Sequence, residues 1–307
     1  TMLLLFIMLS ILRQYDNADI LGIQADLFGN FLSKVLGLIY VFFFLSQILA
    51  TLLIYTEVVR VFIFPEIHPF VIGSMMLILI IYSVLGGLRI IIGVSFLFMI
   101  LPSWILFLLI EPIRQIDPLN FLPIFDKGIV DILKGAYVTA FTFTGFEILF
   151  FIYPFIDNKQ NAAKPIYLGF TTTTFFVLLT TIISIGFLSP DQLERRIWPV
   201  LNLVKLQTSP ILERLDYVVV AEWMMLSTSR TILLMWCIIY ILKRMFNFSM
   251  KISLYTIAVI LLIIVTFLTQ HYLIQAVIES SKWFAIGLVY IYPVILFPMV
   301  MLKKKFR

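Results

Sequence analysis

Long apolar runs, separated by short charged or proline-containing segments, dominate this chain. Eight of these runs have about the 20 residues that an α-helix needs to cross the hydrocarbon core of a bilayer. We predict that each is a membrane-spanning helix: 35–56, 70–88, 90–110, 135–156, 165–188, 217–242, 252–269 and 283–302. A ninth run, 2–12, is too short to span, and no basic residue precedes it as in a signal peptide. We interpret it as the last half of a further helix, which predicts that residues upstream of Thr1 are missing from this sequence.

The composition agrees with this pattern. Hydrophobic residues make up 62% of the chain and charged residues 13%, with a mean hydropathy of +1.08, whereas soluble domains carry about 25% charged residues. We therefore predict an all-α integral membrane protein. The one cysteine, Cys237, lies inside a predicted span and gives no disulfide framework. His68 and His271 lack neighbouring ligand residues, so we expect no metal and no cofactor.

The basic residues are distributed unequally between the two membrane faces. If the eight runs alternate in direction, and Glu57 and Arg60 are counted with the helix end that they follow, one face collects twelve of the 22 Lys and Arg residues and the other collects eight. The second face also carries ten acids, against four on the first. Cytoplasmic loops are usually the more basic ones, and the KKKFR tail at 303–307 is the clearest basic cluster. We expect this tail and the segment after Leu12 to face the cytoplasm.

Two connecting segments have patterns of their own. In the segment 16–34, a helix with Asp19 as its N-cap would place five apolar side chains on one face, namely Ile20, Ile23, Leu27, Phe28 and Phe31. Either an interfacial helix or a packed loop helix explains this face. The segment 189–216 is long, charged and interrupted by three prolines, which favours a lid or a partner surface. We name Trp198 and Leu212 as candidate contacts of such a surface.

The run 135–156 contains a single acid, Glu147, within an otherwise apolar span. Ionisable side chains at bilayer depth usually face a cavity or a partner, which makes Glu147 a functional candidate. Thr142, Thr144 and Gly145 stand just before it. Hydroxyl groups can pair with freed backbone groups and glycine permits unusual backbone angles, so we predict that the helix opens here and binds a ligand.

Two other spans carry polar groups. The run 35–56 has a stripe spaced by four, three and four residues, which lies on one helical face, at Tyr40, Phe44, Gln47 and Thr51. Ligand contact and interhelical hydrogen bonding both explain it. We expect Glu57 and Arg60, three residues apart just beyond this run, to form a local ion pair.

The run 217–242 holds Glu222 and Arg230, with Ser227 and Thr228 between them. Glu222 and Arg230 are two helical turns apart, too far for direct pairing, so each needs a partner elsewhere. We hypothesise that Arg230 pairs with Glu147. The chain has no nucleophile and base arrangement, no P-loop and no dinucleotide fingerprint, so we do not expect an enzyme.

The segment FTFTGFE at 141–147 resembles the broken sixth helix of amino acid/polyamine/organocation permeases. The chain is more similar to the B subunit of Ger-type nutrient germination receptors of spores, the spore permease family. Four segments carry that resemblance in the same order: DLFGNFLSKVLGLIYVFFFL, LPIFDKGIVDILKGAY, FTGFEILFFIYPFI and WPVLNLVKLQTSPILERLD. The resemblance implies a LeuT/APC-like inverted-repeat bundle of about ten helices, without its first helix here, in which 1–111 and 135–307 form the two repeats of one domain.

That resemblance also implies a ligand site near mid-membrane, between the broken sixth helix and the third and eighth helices. Amides at the half-helix N-terminus would hold an amino acid carboxylate. The implied ligand residues are Tyr40, Phe44, Phe141, Thr142, Phe143, Thr144, Gly145, Phe146, Ser227 and Thr228. Glu147, Glu222 and Arg230 would be coupling or structural charges. The phenylalanines favour a ligand with a small or apolar side chain.

The function implied is nutrient sensing, in which a small germinant, expected to be an amino acid, binds and a signal passes to partner subunits. The expected partners are a larger A-type subunit and a C-type lipoprotein, with no nucleic acid, in the inner membrane of a bacterial spore. Two alternatives remain open. One is a proton- or sodium-coupled amino acid transporter that uses Glu147 or Glu222, and the other is a part in an ion path.

Overall fold

The computed structural model describes residues 1–15, 17–123, 128–196, 198–205 and 214–305. Within these ranges the chain is built from helices and contains no strand. The α-helices are α1 Met2–Arg13, α2 Ile20–Phe62, α3 Pro69–Leu85, α4 Leu88–Ile100, α5 Ile110–Arg114, α6 Ile129–Ala140, α7 Leu149–Ile152, α8 Ala163–Leu188, α9 Pro190–Glu194, α10 Pro199–Lys205, α11 Leu215–Phe246, α12 Met250–Phe267, α13 His271–Ala285 and α14 Tyr292–Lys305. Shorter 3₁₀ turns join α4 to α5 and α6 to α7, and a π-helical turn joins α13 to α14.

Every predicted span coincides with an apolar helix. Six continuous helical segments in the described part of the chain are long and apolar enough to cross a membrane, and a bent pair, Ile129–Phe143 with Phe146–Phe155, would make a seventh. The remaining predicted run, 70–88, corresponds to α3, which has 17 residues and is slightly shorter than the others. The prediction of an all-α integral membrane protein is confirmed. The inverted repeat stays a prediction.

The start of α2 follows the predicted pattern in part. The Asp19 side chain caps the helix by accepting a hydrogen bond from the backbone N–H of Gly22 at 2.9 Å. Ile20 and Ile23 are fully buried. Gly29 then adopts φ 84° and ψ 167°, a left-handed conformation that glycine permits, and bends the helix. Phe31, the last of the five apolar residues predicted to share one helical face, lies beyond this bend and is 81% exposed, unlike Ile20 and Ile23.

Helix α11 forms the centre of the bundle. It packs against α2, α3, α4 and α12, and its residues Met235–Ile239 are almost completely inaccessible. By contrast, α4, α8 and α12 expose many large apolar side chains. Such outward-facing apolar surfaces are what a bilayer covers in a membrane protein.

Polar contacts join connecting segments that the alternation of spans assigns to the same membrane face. At one end of the bundle Arg244 forms an ion pair with the fully buried Asp19, and Lys303 contacts Asp26 at 3.3 Å. At the other end of α2, Glu57 contacts the Nδ1 atom of His271 at 2.6 Å. The prediction of a Glu57–Arg60 ion pair is therefore wrong, because the acid reaches across to α13 rather than along its own helix.

Candidate functional site

The span that contains Glu147 is broken where the sequence predicts. Helix α6 passes into a 3₁₀ turn at Phe141–Phe143, Thr144 is extended with φ −73° and ψ 152°, and Gly145 has φ 125° and ψ −24°. The axis of the span bends by 54° between its two halves. A positive φ of this size is costly for any residue with a Cβ atom, which explains the glycine.

Internal hydrogen bonds satisfy several of the backbone groups at this break. A carboxylate oxygen of the fully buried Glu147 accepts a hydrogen bond from the Gly145 N–H at 2.6 Å. The Phe141 carbonyl accepts from the Thr144 N–H at 3.2 Å and from its hydroxyl at 2.8 Å. The hydroxyl of Tyr290 donates to the Ala140 carbonyl at 2.6 Å. In this conformation the protein's own carboxylate therefore occupies one of the amides that the permease resemblance implies for a ligand carboxylate.

A cavity of about 450 Å³ lies beside the break. Five of the predicted ligand residues line it, namely Thr142, Phe143, Thr144, Gly145 and Phe146. Its opposite wall is α8, where the Phe170 ring lies 5.7 Å from the ring of Phe143 and 6.2 Å from that of Phe146. The sequence does not indicate that α8 forms this wall. In the structure Thr172, Thr173 and Thr174 donate to carbonyls four residues earlier in the same helix.

Tyr40 and Phe44 do not line this cavity. Both are fully buried, and their rings pack against Phe151 at centroid distances of 5.3 and 5.4 Å. They therefore contact the second half of the broken span from its other side. The Tyr40 hydroxyl has no hydrogen-bond partner in the described part of the chain. Phe141 also lies outside the cavity lining and packs against the core.

Arg230 connects three helices at this depth. Its guanidinium donates to Oε1 of Gln47 on α2 at 2.8 Å and to the Thr144 hydroxyl at 2.9 Å. These hydrogen bonds link Arg230 to Gln47 and Thr144, while the charges of Arg230 and Glu147 interact through space. The pairing of Arg230 with Glu147 stays a hypothesis. The polar stripe on α2 has two possible explanations, ligand contact and interhelical hydrogen bonding, and Gln47 forms an interhelical hydrogen bond. Thr51 donates to the Gln47 carbonyl at 2.9 Å.

A second cavity, of about 310 Å³, lies between α2 and α11. Ser227 and Arg230 line it together with Thr51, Tyr55 and Trp223. The hydrogen bond from Arg230 to Thr144 thus joins a lining residue of this cavity to a lining residue of the cavity beside the break. Thr228, the other residue predicted on α11, is fully buried and lines neither cavity.

Glu222 finds a partner that the sequence does not indicate. The indole N–H of Trp104 donates to one of its carboxylate oxygens at 2.5 Å. The other oxygen is buried without a hydrogen-bond partner in the described part of the chain. One oxygen of Glu147 is likewise buried without a hydrogen-bond partner there. Each acid therefore has one oxygen that could be protonated or could accept a hydrogen bond.

Comparison with known proteins identifies a consistent set of relatives. The model of a family described as spore germination protein matches residues 1–274. Spore germination protein GerQB of Bacillus cereus is 30% identical over 290 residues, which cover 94% of this chain and 79% of that protein. Spore germination proteins YndE and B2 of Bacillus subtilis (strain 168) are each 26% identical, over 69% and 72% of this chain. The chain spans only 60% and 61% of the lengths of these two relatives.

Proposed function

Because the chain belongs to the spore germination protein family, we propose that it is the nutrient-sensing membrane subunit of a spore germination receptor. Family membership supports a germination receptor or permease-like membrane protein. The ligand, the signal and the partners are the finer parts of the proposal. They rest on the geometry of the broken span.

The germinant binds in the cavity of about 450 Å³ beside the break, and the opened backbone at Thr144 and Gly145 is the observation that carries this proposal. Small-molecule sites are typically concave, mostly apolar and supplied with a few oriented polar groups. The hydroxyls of Thr142 and Thr144 are such groups here. The rings of Phe143, Phe146 and Phe170 favour an amino acid with a small or apolar side chain.

The signal starts at Thr144. Its hydroxyl accepts from Arg230, which also holds Gln47 on α2. A ligand that bonds to this hydroxyl changes the partners of Arg230 and hence the relative stability of two arrangements of α2, α11 and the broken span. A ligand shifts such an equilibrium by its difference in affinity for the two arrangements.

The receiving partners are the A-type and C-type receptor subunits, in the inner membrane of the spore, with the C-terminal tail on the cytoplasmic side. The segment 189–216 is the proposed contact. Its Trp198 is half-buried and packs edge-on against Trp223 of α11 at 5.7 Å, which links the segment to the helix that carries Arg230. Leu212, the second predicted contact, lies outside the described residues.

The test compares binding with uptake in proteoliposomes that contain the full-length protein and carry an imposed proton gradient. We expect radiolabelled amino acid to bind without accumulating, and binding to weaken about tenfold in Thr144→Val because one hydrogen bond is lost. Thr173→Val, which changes a hydroxyl that lines the same cavity on α8, is the matched control for a general change in polarity.

A coupled transporter is the second candidate, and the unpartnered oxygen of the buried Glu147 favours it. Accumulation that depends on the gradient and disappears in Glu147→Gln would establish the transporter and overturn the sensor. Binding that is equal in Thr144→Val and the unchanged protein would remove the assigned cavity from either function.

A further inference from the structure

A third cavity, of about 270 Å³, lies where α2 ends, away from the broken span. Its walls are the last turns of α2, the start of α3, the end of α12 and the start of α13. Apolar side chains form most of the lining, namely Leu53, Val61, Pro65, Pro69, Val265, Leu268 and Ile274. Thr56, Glu57, Arg60, Thr269 and His271 supply its polar groups.

Two of these polar groups have no hydrogen-bond partner within the part of the chain that the structure describes. The Thr56 side chain is 95% buried, since only 5% is exposed, and its hydroxyl has no hydrogen-bond partner among the described residues. The Nε atom of Arg60 is also buried without a partner there. Unpaired buried polar groups cost free energy, and an unpaired charge costs more. Both groups are donors, so together they fit a carboxylate.

An acid stands next to these donors. Glu57 lies three residues before Arg60, on the same side of α2, and one of its oxygens contacts Nδ1 of His271 at 2.6 Å. This contact draws Glu57 toward α13 and leaves Arg60 without its expected ion pair. The cavity is therefore lined by both a cation and an acid, three residues apart on α2, together with an apolar wall.

We propose that this cavity is a second binding site, for a small zwitterion of the α-amino acid class with an aliphatic side chain. The ligand carboxylate lies against Arg60 and Thr56, its ammonium group lies against Glu57, and its side chain packs on Val265, Leu268 and Ile274. Both ligand charges meet an opposite charge, which an anion alone or an amine alone does not achieve.

This site is separate from the cavity beside the helix break. None of its lining residues lines the other cavity. The cavity lies at the opposite end of α2 from Asp26. Asp26 is the residue that Lys303 of the C-terminal helix contacts. A ligand there occupies the membrane face opposite the C-terminal helix end.

The test uses photo-leucine, an amino acid with a photoreactive aliphatic side chain, on the full-length protein in nanodiscs. After illumination, mass spectrometry locates the modified peptides. We expect labelling within 53–69 and 265–274, suppressed by excess L-leucine. Isovalerate, which lacks the ammonium group, and isopentylamine, which lacks the carboxylate, should each compete at least tenfold less well.

Three variants assign the contacts. Arg60→Gln, Glu57→Gln and Thr56→Val should each reduce labelling of these peptides several-fold or more. If Arg60→Gln fails to fold, Thr56→Val still tests the site, because valine has nearly the same volume as threonine. Arg89→Gln, at an exposed arginine of α4, should leave labelling unchanged. Labelling of the peptides within 142–173, which line the cavity beside the break, is scored separately. If no ligand binds in that cavity, the test of the second site is unaffected.

Three outcomes overturn the proposal. One is labelling of 53–69 no stronger than labelling of lipid-facing peptides of α8. Another is equal competition by isovalerate and L-leucine, which identifies a general anion site open to lipid phosphates as well. The third is unchanged labelling in correctly folded Arg60→Gln and Thr56→Val.

Discussion

The carboxylate of Glu147 accepts a hydrogen bond from the backbone N–H of Gly145, with 2.6 Å between Oε2 and the nitrogen. Glu147 is fully buried, and it stands in the first turn of the second half-helix. An acid in this position interacts favourably with the partial positive charge at a helix N-terminus. The acid that first marks this span as functional thus also stabilises the break.

Replacement of Glu147 by alanine should destabilise the fold by about 1–3 kcal/mol, because it leaves the partly buried Gly145 N–H without its acceptor. Glu147→Gln keeps an oxygen acceptor in nearly the same volume and should cost less. The thermal unfolding midpoint of the purified protein in one detergent measures both. Equal losses in the two variants would show instead that the negative charge, through its interaction with Arg230, matters more than the hydrogen bond.

Gly145→Ala should be destabilising by about 1–3 kcal/mol, because φ 125° is a strained angle for alanine. Space is not the obstacle, since a Cβ atom there would lie no closer than 3.9 Å to Nε of Arg230. Gly135→Ala is the matched control, because this glycine is helical and a Cβ atom has no neighbour within 4 Å. The control should be neutral or slightly stabilising. Equal stability of both variants would mean that the break relaxes into a regular helix.

Local features of the broken span can be predicted from the sequence because they depend on neighbouring residues. Gly145, the two threonines before it and Glu147 all lie within a few positions, and the structure places the break among them. The Asp19 cap is likewise a local interaction. Apolar runs of about 20 residues similarly locate the spans.

Partners across helices cannot be predicted in this way. Arg230 and Gln47 are 183 residues apart, and Glu57 and His271 are 214 apart. Helical spacing tells which residues share a face, but not which residue of another helix lies opposite. For the same reason the prediction that Tyr40 and Phe44 form the ligand wall differs from the structure, in which the packing of α2 directs both rings to Phe151.

The hydrogen bond between Arg230 and Gln47 should give a larger coupling free energy than the interaction of Arg230 with Glu147. Interhelical hydrogen bonds in membranes contribute about 0.6 kcal/mol on average, and a charged donor favours the upper part of that range, near 1.7 kcal/mol. Double-mutant cycles that combine Arg230→Gln with Gln47→Leu and with Glu147→Gln measure the two terms through unfolding in mixed micelles. A larger coupling for the Glu147 cycle would mean that the ion pair forms in solution and that Gln47 is only a neighbour.

Gly169 tests the cavity beside the break without touching the broken span itself. It lies on α8 in the lining, and a Cβ atom there would have no neighbour within 4 Å, so the space beside it is open. Gly169→Val should leave the free energy of unfolding within about 0.5 kcal/mol of that of the unchanged protein, as for a substitution that meets no packed group. It should weaken binding of leucine at least tenfold and that of alanine less, because the added methyl groups occupy the volume that the longer ligand side chain needs. Competition binding with labelled amino acids measures this ratio. An equal effect on both ligands, in a protein of unchanged stability, would place the ligand side chain elsewhere and leave only its backbone groups near the break.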